Sequence, residues 1–533
     1  MMNSTLRSTL SFALLSLIFG VAYTQAPLYY SNQNQYFLHG LADAGLGQLS
    51  DDWLANTADP TPVFSSFVAI VFRTLGESAF YGIHVLLLGI YAASLMAIFV
   101  RLAGDRDSVR LRLVFFAAFV FIHSALARWG SYRLLGWDYP WYFQAGVAGQ
   151  YALGGMLQPS MFGVLLIASV AAYLWDRTAL AVCLAAGGAI MHSTYLLGAG
   201  MLTISYMVDR CRAGSWKQAA AISASSLLLV LPTLIYALIF FRPTSPEMFA
   251  ESQRILARVR IPHHCLPRLW LDGVATIQIA WILAGIVLAR GSKLRLILAV
   301  VFSLSALLTI VQVSTDSDTL ALLFPWRTSA ILVPIATTII LSRAVLAGHA
   351  WLKGPIAAWS AAAILLIVAL GGAALMWHRA GYRNNDAELP LYDFVRAHSS
   401  KGDVYLLPMK MPNLAASTRG SLSSDFKPLA ERSKDSRIVP IDFQRFRLAA
   451  GVPIYVDFKS IPYKDIDVLE WRRRMEWNEG IYKEGVLSKE ETLAELAREG
   501  VTHVVVTRLY EMPSPGLELV YDDPNYKVYR RAR

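Results

Sequence analysis

Apolar runs alternating with short basic loops constrain this chain more than any motif it carries. The runs cover 9–23, 80–100, 113–126, 161–174, 178–191, 195–208, 219–241, 273–288, 296–313, 329–341 and 355–376. They make about eleven candidate spans, several shorter than the roughly 20 residues a straight helix needs to cross a bilayer. With 55% hydrophobic and only 16% charged residues among 533, the chain is too apolar for a water-soluble globule. It reads as a multi-pass α-helical membrane protein.

Loop charge tests that layout. With the N-terminus in the cytoplasm, the inner loops hold Arg101, Arg106, Arg110 and Arg112, then Arg177, then Arg210, Arg212 and Lys217, then Arg290, Lys293 and Arg295, and lastly Arg343 and Lys353. Every inner loop is then basic, as the positive-inside rule requires. Fusing 178–208 into one helix would put Arg210 and Arg212 outside, so the run is split at His192-Ser193-Thr194. The first run is read as an uncleaved helix; a signal peptide cut near 22–26 would leave the next loop outside just the same. An odd number of spans also places everything after the last run outside the cytoplasm.

The net charge of +10 does not point to nucleic acid, because the basic residues are scattered through short loops without a lysine-rich tail. It reads as topology plus an anionic ligand. Cys183, Cys211 and Cys265 fall in a span, an inner loop and an outer loop, so neither a disulfide framework nor a metal knuckle is expected.

Two domains follow: 1–380, a transmembrane domain that includes the long outer loop 26–78, and 381–533, a soluble α/β domain. In the second, 402–407 and 502–506 read as buried strands, 488–499 as an amphipathic helix after a Ser488 cap, and 518–530 as a hairpin turned at 522–525. It holds no glycine-rich phosphate loop and no nucleophile elbow.

The stretch 32–64 is the strongest functional candidate. It is too polar to cross a bilayer, yet it carries Tyr36, His39 and Trp53 with Asp43, Asp51, Asp52 and Asp59. The spacing predicts a helix over 35–44 turned by Gly45 and Gly47, then a second that opens at Asp51-Asp52-Trp53 and ends near Pro60 and Pro62.

Topology explains inner arginines but not outer ones. Arg128, Arg133, Arg242, Arg254, Arg258, Arg260, Arg268 and Arg327 all fall in outer loops, many beside tryptophan. A guanidinium at the membrane edge suits bidentate capture of a lipid phosphate. The bland account of each is snorkelling to headgroups or pairing with a loop aspartate. The densest segment, 258–270, sets Arg258, Arg260, His263, His264 and Arg268 around Pro262 and Pro267. Adjacent histidines point different ways, so zinc is not expected there. Asp316 and Asp318 form a weak metal candidate, a pair that can share a divalent cation bridging a pyrophosphate; no other cofactor is expected. Asp138 reads as a turn cap, and His123 and His192 as packing histidines.

One helix, a long outer loop with two short helices and acidic residues, many spans and an outer α/β domain together resemble the C-type (GT-C) integral membrane glycosyltransferases. By layout the resemblance covers the whole chain; by motif it covers only Asn32 to Asp59, where Tyr36 and Asp52-Trp53 match. It implies transfer of a sugar from a lipid-linked polyprenyl phosphate donor at the periplasmic face of a bacterial inner (plasma) membrane. The acidic pair typical of the family falls here on Asn32 and Gln33, amides that cannot accept a proton. Catalysis would then rest on Asp51, Asp52 or Asp43, with Asn32, Gln33, Tyr36, His39, Arg258, Arg260, His263, His264, Arg268 and Arg327 binding substrate. The alternative is a non-catalytic membrane protein that binds a lipid-linked glycan or assists polysaccharide assembly. Arg445, Tyr455, Lys459, Tyr463 and Lys464 of the outer domain are placed to reach the groove as a lid.

Overall fold

The computed structural model of the chain describes residues 4–380, 386–409, 411, 445–483, 486–508 and 516–532. Among them, five helices are long and apolar enough to cross a membrane: Ala79–Arg106, Trp216–Phe240, Lys293–Thr315, Asp318–Leu352 and Pro355–Trp377. A sixth is counted if Val109–His123 and Ala125–Leu135, bent by 52°, form one span. Ser8–Tyr23, Pro62–Leu75, Pro159–Leu174, Thr178–Met191 and Gly273–Leu288 are apolar but shorter, about 20–25 Å long at 1.5 Å per residue.

The breaks between helices have local causes. Ser124 is extended (φ −69°, ψ 142°) and its Oγ accepts from the Ala127 backbone N–H, which ends one helix and caps the next. His192 is extended as well (φ −149°, ψ 107°), and the helices Thr178–Met191 and Leu196–Arg212 separate there, at the position that loop charge demanded.

The 26–78 loop differs from expectation in one respect. Residues 62–75 form a 14-residue helix in place of loop. Pro62 opens it without losing a hydrogen bond, and Phe64, Val68 and Val71, all buried, give it an inward stripe. Gly40 packs on it so closely that a Cβ there would lie 2.4 Å from the Ser65 carbonyl oxygen. The helix expected over 35–44 is two pieces, Gln33–Tyr36 and Leu38–Asp43, and the second element is a pair of single turns, Leu49–Asp51 and Leu54–Asn56.

The C-terminal part carries a four-stranded sheet of β1 (Tyr405–Leu406), β2 (His503–Thr507), β3 (Leu517–Asp522) and β4 (Tyr526–Arg531) in the order β1-β2-β4-β3. β1 runs parallel to β2, while β4 is antiparallel to both β2 and β3. The β3–β4 turn is fixed by the Asp523 carboxylate, which accepts from the backbone N–H groups of Asn525 and Tyr526. The helix expected after Ser488 is Glu490–Arg498; Lys489 occupies the cap position with no side-chain bond, so Ser488 does not cap it. Trp471, Val468 and Phe446 fill the core under the sheet, joined by Ile255 and Leu256 from the membrane-side segment before residue 260. That shared core seats the two parts of the chain on each other.

Candidate functional site

Where the two parts meet lies a cavity of about 1480 Å³. Its lining comes from all along the chain: Asn32 and Tyr36 from the first loop, His192 from the helix break, Arg260, His263 and His264 from the middle, Arg327, and Phe458, Lys459 and Tyr463 from the C-terminal part. One wall is apolar. Leu229, Pro232 and Ala237 of the helix Trp216–Phe240 face it, and only 6% of that helix's apolar window is buried, against 72% for Asp318–Leu352. That helix therefore keeps most of its apolar surface unburied on the side away from the rest of the chain.

Another part of the lining is cationic. A wide, π-helical turn over Ile255–Arg260 delivers Arg260, which is 7% exposed. It donates to the Lys459 carbonyl oxygen at 2.5 Å and lies 4.7 Å from the Phe458 ring centroid. Arg327 donates to Gln150 Oε1 at 2.7 Å and stacks 4.9 Å over Tyr195. Neither has a carboxylate among its described partners. Burial pushes the Arg260 guanidinium below the ordinary arginine value, against the smaller opposing pulls of Tyr463, Asp457 and Tyr36. Both arginines act on Tyr36, whose phenol is raised by burial and by neighbouring Tyr463 and so stays a neutral donor.

The histidines are neutral. Burial, His264 and then Arg260 push His263 down to about 2, and burial holds His264 at about 4 although its Nδ1 meets the Ala148 carbonyl oxygen at 2.6 Å. His192, buried and edge-on to Tyr36, is lowered by burial and by Arg327. His192 therefore lines the cavity and is more than a packing residue.

The sequence-derived candidates divide sharply. Asn32, Tyr36, Arg260, His263, His264 and Arg327 share the cavity. Gln33 does not: its amide is used up on the Tyr29 N–H and the Leu157 carbonyl oxygen. His39 Nε2 lies 3.2 Å from the Thr57 carbonyl oxygen, off the cavity. Arg268 is exposed away from it. Arg258 is bound to Asp318 at 2.9 Å and to Asp316 at 3.0 Å, so the candidate metal pair has an arginine where a cation would sit. Among the described residues no group of three metal-ligating side chains comes together. Arg128 is likewise matched, to buried Asp138 at 2.7 Å, which makes Asp138 an ion-pair partner and not a turn cap.

The aspartates expected to catalyse lie elsewhere. Asp43 and Asp51 are exposed, and neither lines the cavity. Asp52 is wholly buried in a joint between the first loop and the C-terminal part. Its Oδ1 accepts from the Leu54 N–H and its Oδ2 from the Ile454 N–H, while Arg447 Nε approaches Oδ2 at 3.0 Å. Arg447 Nη1 also lies 3.2 Å from Asp457. These arginine contacts are close but off the hydrogen-bond line, so charge, not direction, carries them. Nearby, the Gln48 N–H donates to the Gly451 carbonyl oxygen and Arg474 stacks 4.3 Å over Trp53. Asp59 caps the Thr61 N–H, and its carbonyl oxygen accepts from Tyr236.

Sequence reasoning missed Arg447, Asp457 and Gln150. An arginine inside the apolar run after 446 was the available signal for the first. Of the proposed lid residues, Lys459 and Tyr463 line the cavity. Tyr455 instead bonds Glu499, and Lys464 the Arg242 carbonyl; Arg445 is also off the lining.

A family model described as a domain of unknown function (DUF6798) matches residues 430–477. That short segment holds Arg447 and Asp457 of the joint and Phe458, Lys459 and Tyr463 of the cavity roof. No curated protein matches the chain.

Proposed function

We propose that this chain is a multi-pass protein of a bacterial plasma membrane, with about eleven spans, that holds a polyprenyl-phosphate-linked glycan in the cavity at its periplasmic face. The headgroup phosphate lies against Arg260 and Arg327, with Lys459 above and neutral Tyr36 as a donor. The isoprenoid chain runs along the apolar face of the helix Trp216–Phe240. One observation supports this most: two guanidiniums with no carboxylate in contact line a cavity that is also lined by a long apolar helix with only 6% of its apolar window buried. Amphipathic ligands fit such a space better than soluble ones.

Binding ranks ahead of sugar transfer because no aspartate or glutamate is found among the described cavity-lining residues, and transfer needs a group to take the acceptor's proton. Transfer is the second reading, favoured by His263, a neutral ring on the cavity whose Nδ1 has no partner. Its depressed basicity makes it a weak acceptor.

Mass spectrometry of the full chain purified in native nanodiscs tests the binding reading. A retained lipid phosphate that disappears in the Arg260→Gln, Arg327→Gln double variant is expected. A wild-type protein that retains none, and takes none up when polyprenyl phosphate is added, sinks it.

A further inference from the structure

A site open to the bilayer faces a selection problem, because membrane phospholipids are phosphodiesters and vastly outnumber any carrier lipid. Charge in this cavity offers a solution. Arg128 is matched by Asp138 behind the wall, and no described lining residue is acidic. The three lining histidines are neutral for the reasons given above. Arg260 and Arg327 touch only neutral groups, a carbonyl, an amide oxygen and two ring faces; the carboxylate that acts on Arg260 from further off, Asp457, is already engaged by Arg447, and Lys459 adds a further cation to the lining. The contrast with Arg447, held between two buried carboxylates in the same molecule, shows that this chain matches arginine charge internally where nothing is to bind.

We propose that the cavity favours a headgroup carrying at least two negative charges, a lipid phosphomonoester or diphosphate, over singly charged phosphodiesters. This rests on the lipid-phosphate reading and narrows it: a glycan joined to the lipid through a single phosphate is a diester and is disfavoured, which leaves the free lipid phosphate or a glycan joined through a diphosphate. Arg260, buried, and Arg327, half-buried, present two bidentate forks. A dianion satisfies both, whereas a diester leaves one positive charge buried and uncompensated. Zwitterionic headgroups fare worse, since among the described residues no acidic side chain lines the cavity to take their ammonium. If transfer does occur here, the departing lipid phosphate is the phosphomonoester, so the same charge match favours the product side of the reaction.

Ligand titration separates this proposal from its premise. A phosphomonoester loses its second charge near pH 6, whereas the cavity histidines are already neutral well above their lowered values and the tyrosine Tyr36 is raised. Kd values are measured for the intact protein in nanodiscs with polyprenyl phosphate, polyprenyl diphosphate, a phosphodiester-linked polyprenyl phosphate sugar, phosphatidylglycerol and inorganic pyrophosphate. Polyprenyl phosphate at pH 8 and the diphosphate are expected to bind at least about tenfold tighter than either diester, and the monoester to lose about that factor by pH 5. Arg327→Gln should bring the monoester down to the diester's affinity while moving the diester little.

Equal affinity of monoester and diester at both pH values overturns the proposal and leaves the lipid-phosphate reading standing. Failure of every lipid to bind overturns the reading and the proposal together. Inorganic pyrophosphate binding as tightly as the lipid diphosphate overturns the lipid premise alone and supports dianion selection. The pH arm uses the unaltered protein, so a variant that fails to fold does not remove the test.

Discussion

Arg447 and Arg260 are both buried, at 1% and 7% exposure, and their surroundings are opposite. Arg447 stands between Asp52 and Asp457; Arg260 meets a carbonyl and the face of a phenyl ring. Removing a guanidinium from water costs several kcal/mol unless another charge offsets it. At the joint the fold sets that charge in contact with the guanidinium, whereas at the cavity Asp457 acts on Arg260 only from further off. The difference separates a structural arginine from a binding one more surely than burial or position along the chain.

The most severe way to test the joint is to remove its centre. Arg447→Ala leaves two buried carboxylates facing each other, and unfolding stability should fall by about 3–5 kcal/mol. Thermal unfolding of the purified protein, with limited proteolysis of the C-terminal part, reads this out. Substituting Met at 447 together with Asn at 52 and 457 should recover most of the loss, since burying neutral groups removes the uncompensated charge. A single alanine variant that melts like the parent would erase the distinction between the two arginines.

Next in size is the backbone contact beside that joint. Gly47 has φ +54°, and a Cβ on it would lie 2.2 Å from the Gly451 carbonyl oxygen, so neither its conformation nor its space admits a side chain. Gly47→Ala should cost about 1–3 kcal/mol and loosen the C-terminal part without touching a charge. Comparing its proteolysis with that of the Arg447 variant shows whether the joint depends on the ion triad or on close backbone approach.

At the cavity the expected sign reverses. Arg327→Gln keeps a side chain able to bond Gln150 while deleting an unmatched charge, so thermal stability should hold or rise slightly. Lipid-phosphate affinity should fall about tenfold or more, equivalent to at least about 1.4 kcal/mol. A variant that loses stability in step with Arg447→Ala would make Arg327 a structural residue as well.

What the sequence conveyed and what it withheld follow from range. Local signals were legible: the break at His192, which loop charge placed, the 517–531 hairpin, and helices such as Thr178–Met191 that lie where their apolar runs lie. Pro62–Leu75 was lost because polar neighbours lowered the average hydropathy of its window, although Phe64, Val68 and Val71 carry helical spacing. Arg128, Arg260 and Arg327 of the cavity lining could be named as outer arginines that topology did not require, since an unexplained charge in a loop is visible in one dimension. Which of those arginines stay unmatched was not visible. Arg258 finds Asp318 some 60 positions away, and Arg447 finds Asp52 nearly 400 positions away. The match to a domain of unknown function falls on the segment that closes both the joint and the cavity roof, where local pattern was least informative.

The smallest expected effect bears on the aspartates that the sequence marked for catalysis. Asp43 and Asp51 are exposed on the first loop and absent from the cavity lining. Asp43→Asn and Asp51→Asn should therefore leave stability within about 0.5 kcal/mol of the parent and leave lipid-phosphate affinity unchanged. The double variant, expressed in cells, should also leave glycan composition as it was, because a general base must come within hydrogen-bond reach of the acceptor hydroxyl. Asp52→Asn cannot serve for this purpose: it sits in the joint, and lost activity there would report a loosened lid as readily as a missing base. If the exposed pair proves essential while binding persists, the loop must swing a carboxylate toward the phosphate during turnover. The unmatched arginines would then belong to a glycosyltransferase site that closes only around its acceptor.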